Sequence, residues 1–145
     1  MRLARASERS LLEDLQRRAS LVWEEYREAL LAHPEAIALP GSQIADGCVA
    51  VAEKRGEILG FAVVLPRADG DAELDGLFVE PDYWKNGIGR VLIVQAERMA
   101  RSKDAAALHV IANPQAVGFY RKCGFIECGH AETRFGPAAT MRKRL

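Results

Sequence analysis

The stretch Leu74-Asp75-Gly76-Leu77-Phe78-Val79-Glu80-Pro81-Asp82-Tyr83-Trp84-Lys85-Asn86-Gly87-Ile88-Gly89-Arg90 decides how this chain is read. Its first half is apolar and β-prone, which predicts a strand over 72–79. Its second half turns through Gly87 and Gly89 into the apolar stripe Ile88, Val91, Leu92, Ala96 and Met99, the pattern of a helix over 87–102. Glycine lets a backbone turn with positive φ and lets a ligand approach N–H groups with no Cβ in the way. A helix start adds unpaired donors and a partial positive charge, so such a turn suits a phosphate or pyrophosphate. Lys85 and Arg90 flank it with positive charge. The third glycine of a GxGxxG dinucleotide turn would fall at Leu92, so that motif fails. A P-loop fails too, because Gly89 precedes Arg90-Val91 rather than Lys-Ser/Thr, which disfavours an NTPase or kinase. Taken alone, GxG is equally a tight connection without a ligand.

Outward from this stretch, Arg2 to Ala6 reads as a first strand. Ser10-Leu11-Leu12-Glu13 has the form of a capping box opening a helix, and Val22, Tyr26, Ala29 and Leu30 mark a second helix ending before Pro34. His33 to Gly47 reads as a loop. Cys48–Ala52 and Ile58–Leu65 form a hairpin across Lys54-Arg55-Gly56-Glu57, and Asp69-Gly70-Asp71 turns into the strand over 72–79. Ala105–Ala112 returns to strand. Asn113 is a natural N-cap, Pro114 a first helical residue and Gly124 a stop, bracketing a short helix that carries Tyr120. Phe125–His130 and Pro137–Lys143 supply closing strands. This order implies an α/β (α+β) mixed sheet with helices on both faces.

The chain has 145 residues, 49% of them hydrophobic and 28% charged, which fits one globular domain over 1–145 and excludes a disordered chain. Lys+Arg and Asp+Glu balance at 20 each, which argues against a nucleic-acid partner, and Arg142-Lys143-Arg144 reads as a solvated tail. No apolar run approaches the ~20 residues of a membrane span, so no membrane is expected. Met1 to Glu8 lacks the apolar region of a secretory signal, so a cytoplasmic location is expected. Cys48, Cys123 and Cys128 are odd in number and lack CxxC spacing, so they read as small hydrophobes. His33, His109 and His130 are scattered, and no metal is expected.

The glycine turn together with Asn113-Pro114-Gln115-Ala116-Val117-Gly118-Phe119-Tyr120-Arg121-Lys122-Cys123-Gly124-Phe125 resembles the GNAT superfamily of N-acetyltransferases. In that family a strand enters an Arg/Gln-x-x-Gly-x-Gly/Ala loop that holds the acetyl-CoA pyrophosphate. A later helix ends in Tyr-x-x-x-Gly-Phe. Here the loop is Trp84-Lys85-Asn86-Gly87-Ile88-Gly89, with Trp84 where the family carries Arg or Gln. The resemblance implies a central, mostly antiparallel sheet flanked by helices on both faces, with acetyl-CoA as cosubstrate. It implies that the backbone from Lys85 through Asn86, Gly87, Ile88 and Gly89 to Arg90 holds the pyrophosphate. Phe78 and Val79 match positions whose N–H groups bind the thioester carbonyl and pantetheine. Asn113 matches a residue that contacts CoA where the strands splay, and Tyr120 a tyrosine whose hydroxyl lies near the sulfur. Homodimers are common in the family.

Acyl transfer to an amine of pKa ~10.4 needs a base or a desolvating pocket, and the departing thiolate gains from an acid. Glu73 and Asp75 share a strand face with Leu77 and Val79 by the period-two rule, and either can take the proton. Aligned on Gly87 and Gly89, Glu73 falls where histone-acetylating members carry their base. The alternative is a solvated strand edge. Glu80 lies off that face. Tyr120 is the candidate acid, or else a core aromatic. Trp23 and Tyr26 are candidates for lining an acceptor pocket, with core packing as the other role. The expected function is direct, ternary-complex transfer of acetyl from acetyl-CoA to a primary amine on a small molecule or peptide. The alternative is a non-catalytic module that binds or senses acyl-CoA. The loops over 33–47 and 131–137, which would choose the acceptor, carry no readable code.

Overall fold

Ile58 to Leu65 is apolar almost without a break, and the computed structural model shows why: the strand there is covered on both faces. The structure describes residues 1–133 and 136–145, and of residues 24–26 the backbone only. The strands are β1 (Arg2–Leu3), β2 (Val49–Lys54), β3 (Glu57–Pro66), β4 (Ala72–Val79), β5 (Ala107–Ala112), β6 (Ile126–Thr133) and β7 (Gly136–Arg144). The helices are α1 (Arg9–Leu21), α2 (Glu24–Ala32), α3 (Gly41–Ala45), α4 (Ile88–Ser102) and α5 (Val117–Lys122). The strands form one seven-stranded sheet in the order β1-β2-β3-β4-β5-β7-β6. Every pairing is antiparallel except β4 with β5.

Alternation along β3 divides its side chains between two cores. Ala62 and Val64 join Leu92, Ile93, Ala96 and Ala100 of α4, along with Leu108, Val110 and Phe125. Phe61 and Val63 join Leu12 and Leu15 of α1, along with Leu39 and Ile44. Leu12, Phe61, Ala62, Leu92 and Leu108 are all wholly buried. Among the described residues, no helix is long and apolar enough to cross a membrane.

Several local expectations shift. The first strand is only two residues long, and the capping interaction lies earlier than Ser10–Glu13. Glu8 accepts the Arg5 N–H at 2.8 Å and two guanidinium N–H groups of Arg2 at 2.9 and 2.7 Å. Glu13 instead accepts the Leu39 N–H at 2.8 Å, tying α1 to the segment after α2. That segment, expected as a loop, holds a one-turn 3-10 helix at Pro34–Ala36 and then α3. Asn113 does not cap α5 directly. Its Oδ1 accepts the Ala116 N–H at 2.9 Å, closing a turn one step before the helix.

Candidate functional site

β4 and β5 are paired only over Ala72↔Leu108, Glu73↔His109 and Leu74↔Val110, and then part. At the parting point β4 carries a bulge: Val63 faces Gly76 and Val64 faces Leu74, so Asp75 has no partner on β3. The extra residue reverses the side-chain alternation. Ala72 and Leu74 share the α4-side core with Leu77 and Val79, while Phe78 packs into the α1-side core. The expectation that Asp75 and Glu73 share a face with Leu77 and Val79 is therefore corrected, since period two holds only along an unbroken ladder. A Cβ on Gly76 would come within 2.8 Å of the Phe78 ring, so glycine here lets that ring fold across the bulge.

The parting strands open a cleft of about 260 Å³. Asp75, Phe78, Asn113 and Tyr120 line it, with Gln16 and Ser20 of α1, Leu30 of α2, Ile37 and Thr133. Gln16 and Ser20 escaped the sequence reading. Their i, i+4 spacing puts them on one helix face, but only packing tells which surface that face meets.

Backbone donors are set by the β3–β4 register. The Glu80 N–H donates to the Leu59 carbonyl at 2.8 Å, and Phe78 stands opposite Phe61, so Glu80 and Phe78 occupy the hydrogen-bonded positions of the ladder. Val79, between them and opposite Gly60, directs its N–H and C=O away from β3, toward the side where β5 has left. Its carbonyl accepts the Trp84 indole N–H at 2.7 Å. The Phe78 N–H is thus committed to the ladder, and the Val79 N–H is aimed outward.

The titratable groups separate by environment. Asp75 has an exposed side chain at the cleft mouth, yet the protein around its carboxyl strips enough water to push its pKa above the usual carboxylate range. Glu73 is not among the cleft-lining residues and lies 3.5 Å from the Arg67 guanidinium. Glu80 accepts Nε and Nη2 of Arg18 at 2.6 and 2.8 Å. Tyr120 is 8% exposed and meets Phe119 and Phe125 edge-on at 5.2 and 5.5 Å. Burial pushes its phenol pKa up, and its hydroxyl has no hydrogen-bond partner among the described residues.

Lys85 and Gly87 both have left-handed φ, +68° and +82°, and Gly87 is the N-cap of α4. The Val91 N–H is the first to reach back, to the Gly87 carbonyl at 3.1 Å, which leaves the Ile88, Gly89 and Arg90 N–H groups at the helix start without a partner among the described residues. Nothing lies within 4 Å of a Cβ built on Gly87. Lys85, Asn86 and Arg90 are exposed. Gly89 carries a second constraint unseen in sequence: its Cβ would stand 3.1 Å from the Phe119 ring and 3.9 Å from Val79. The glycine turn, the end of β4 and α5 therefore meet at one place.

Trp84 does not extend along the turn. It folds back on Val79, and its ring packs at 5.3 Å on Trp23, the N-cap residue of α2. Trp23 is thereby placed against the glycine loop. The Tyr26 side chain and residues 134–135 of the expected acceptor loop lie outside the described residues. His109, one of the three scattered histidines, has Nε2 2.9 Å from Asp71. With Asp69 these two residues offer ligand-type atoms within 4.8 Å of one another, but Asp69 is already engaged by Arg67 and by the Asp71 N–H.

The N-acetyltransferase ycf52 of Pyropia yezoensis, itself named as uncharacterized, is 29% identical over 91 residues, 63% of this chain and 52% of that protein. The peptidyl-lysine N-acetyltransferase YjaB of Escherichia coli K12 is 42% identical over 59 residues, 41% of this chain and 39% of that protein. The chain thus spans about half the length of the one and two fifths of the other. The fold is that of the PaiA N-acetyltransferase of Thermoplasma acidophilum, crystallised with coenzyme A, at a TM-score of 0.77 and 21% identity over 99% of this chain and 97% of that one. The family model for GNAT acetyltransferases matches residues 9–125, from the start of α1 through the Gly124-Phe125 stop after α5, and the chain belongs to the GNAT acetyltransferase family.

Proposed function

We propose that this chain transfers an acetyl group from acetyl-CoA to a primary amine, directly, in a ternary complex. The observation that carries this reading is the convergence of an outward Val79 N–H, the Asp75 carboxyl in the cleft lining and a buried Tyr120 on the β4–β5 parting, beside a glycine-bounded helix start. The donor set there suits a pyrophosphate. Among the described residues, three N–H groups without a partner head a fifteen-residue helix, Lys85 and Arg90 flank them, and nothing fills the space beside Gly87.

Acetyl-CoA supplies the activated acyl group when bound. Asp75 takes the proton that the amine sheds as its nitrogen bonds to the acyl carbon. Its raised pKa makes it a stronger base than an ordinary carboxylate. Glu73, held by Arg67 outside the cleft, is the weaker claimant. The Val79 N–H donates to the acyl oxygen, which gains negative charge as that bond forms. Tyr120, kept neutral by burial, hands its proton to the sulfur as the carbon–sulfur bond breaks, and solvent restores it. The products are an amide and a free thiol. The similarity to YjaB, a peptidyl-lysine N-acetyltransferase, supports an acceptor of lysine-like chemistry.

The test joins two measurements on the parent protein. Calorimetry should show saturable acetyl-CoA binding, and a panel of alkylamines, amino acids and lysine peptides should release free thiol in step with amide formation. Binding without thiol release from any amine would leave an acyl-CoA-binding module instead. No binding at all would remove the reading.

A further inference from the structure

We infer that Trp84 is a positioning residue for the acyl carbonyl, acting through the Val79 peptide; the inference rests on the acyl-transfer reading above. Where the family's loop pattern has a polar Arg or Gln, this chain puts an indole, and the indole is turned away from the loop. Its Nε1–H donates to the Val79 carbonyl at 2.7 Å. That carbonyl points to the side of β4 that β5 has left, so the sheet offers it no partner. Trp84 supplies the missing one.

The consequence is a residue held from every side but one. Phe78 is locked opposite Phe61 in the ladder, and the Glu80 N–H is tied to Leu59 at 2.8 Å. The Glu80 carboxylate is gripped by Arg18 of α1, and the Val79 carbonyl by Trp84. The peptide that carries the Val79 N–H is pinned by Phe78 in the ladder, and the next one, Val79–Glu80, is pinned by Leu59 and Trp84, so the backbone torsions of Val79 between them are held and its N–H keeps one direction. An oxyanion donor stabilises developing charge only when it is aimed before the charge appears. The same indole packs on Trp23 at 5.3 Å and 31°, and α2, which starts there, carries Leu30 into the cleft. One side chain therefore steadies Val79 from its carbonyl side and ties it to the helix that lines the cleft with Leu30.

Trp84→Phe keeps an aromatic ring facing Trp23 and removes the donor together with part of the indole's contact area. With a verified amine, kcat should fall roughly 10- to 100-fold, the scale of a small loss of aim at the reacting centre. The calorimetric Kd for acetyl-CoA should stay within about threefold, because the pyrophosphate donors are untouched. A ¹⁵N spectrum should show the Val79 amide of the parent at different positions with CoA and with acetyl-CoA, and this difference should collapse in the variant. The parent carries a check that needs no variant: of its two tryptophan indole N–H signals, that of Trp84 should exchange slowly with solvent and should also separate CoA from acetyl-CoA. An unchanged kcat in Trp84→Phe overturns the inference. So does a Kd that weakens in step with kcat, which would make Trp84 a binding residue. A parent whose Val79 amide or Trp84 indole cannot tell the two ligands apart overturns it as well. A parent that acetylates no amine, while its Val79 amide still reads the acyl group and the variant's does not, removes the transfer reading and leaves the positioning role standing.

Discussion

Replacing Tyr120 by phenylalanine removes one oxygen from a residue that is otherwise all packing. The ring meets Phe119 and Phe125 edge-on at 5.2 and 5.5 Å and is 8% exposed, so the contacts that seat α5 on the sheet survive. The hydroxyl has no partner among the described residues, so its removal leaves none of their polar groups without a partner. Tm should move by less than about 3 °C. If the phenol protonates the departing sulfur, kcat should fall by about 10²–10⁴-fold, or about 2.7–5.4 kcal/mol of barrier. Burial raises the phenol pKa, which gives the same residue a second signature. The unfolded phenol ionises near pH ~10, before the folded one does. Tyr120 thus contributes stability that is present below that pH and lost as pH rises above it, and the phenylalanine variant lacks this loss. The assay is stopped-flow acetylation of a verified amine with chemistry rate-limiting, alongside denaturant melts at pH 8 and 10.5. Turnover within about threefold of the parent would refute the acid role, whatever the melts show.

Asp75→Asn should lower kcat/KM by about 10²-fold at neutral pH and recover as pH rises toward the amine's own pKa of ~10.4, whereas Glu73→Gln should stay within about threefold. In the parent, kcat/KM should fall as pH drops through the Asp75 pKa, at a midpoint above the ~3.9 of a free aspartate, and the reverse ranking of the two variants in a pH–rate profile would reassign the base. The Arg2 guanidinium holds Glu8 at about 2, so Glu8 contributes stability that is present above the ~4.3 of a free glutamate and lost as pH falls toward 2. Glu8→Gln should melt at lower denaturant at pH 7, and its gap to the parent should shrink at pH 3. Arg90→Glu changes an exposed charge beside the α4 start and should weaken acetyl-CoA about tenfold by calorimetry, about 1.4 kcal/mol, with Tm unchanged. Gly89→Ala, by contrast, pushes a Cβ to 3.1 Å from Phe119 and should lose stability and affinity together.

Short-range chemistry was enough to read much of this protein from its residues. The stripe from Ile88 to Met99 has one period and one solution, and α4 follows it. Gly87 and Gly124 sit where the chain must enter left-handed φ, at +82° and +97°, and such backbone demands are local. The apolar run Ile58–Leu65 reads as a hairpin strand, and β3 follows it. What sequence could not decide is whatever depends on register between distant segments. Period two predicts the faces of β4 only while its ladder with β3 runs unbroken, and the bulge at Asp75 is a property of the pairing, invisible in either strand alone. The outward aim of the Val79 N–H depends on which residues of β3 stand opposite and on where β5 departs. Glu73 and Asp75 are near-equivalent in sequence, and only the fold sets one against Arg67 and the other at the cleft mouth. Trp84 had no readable role because its partners are Val79, five residues back, and Trp23, at the head of another helix. Local propensities therefore determined most of the elements, and the resemblance carried by the glycine turn and the Tyr120–Phe125 stretch pointed to the family. The tertiary structure decided which carboxylate, which N–H and which indole share the site, because long-range strand pairing aims side chains and peptide groups that local sequence leaves free to point either way.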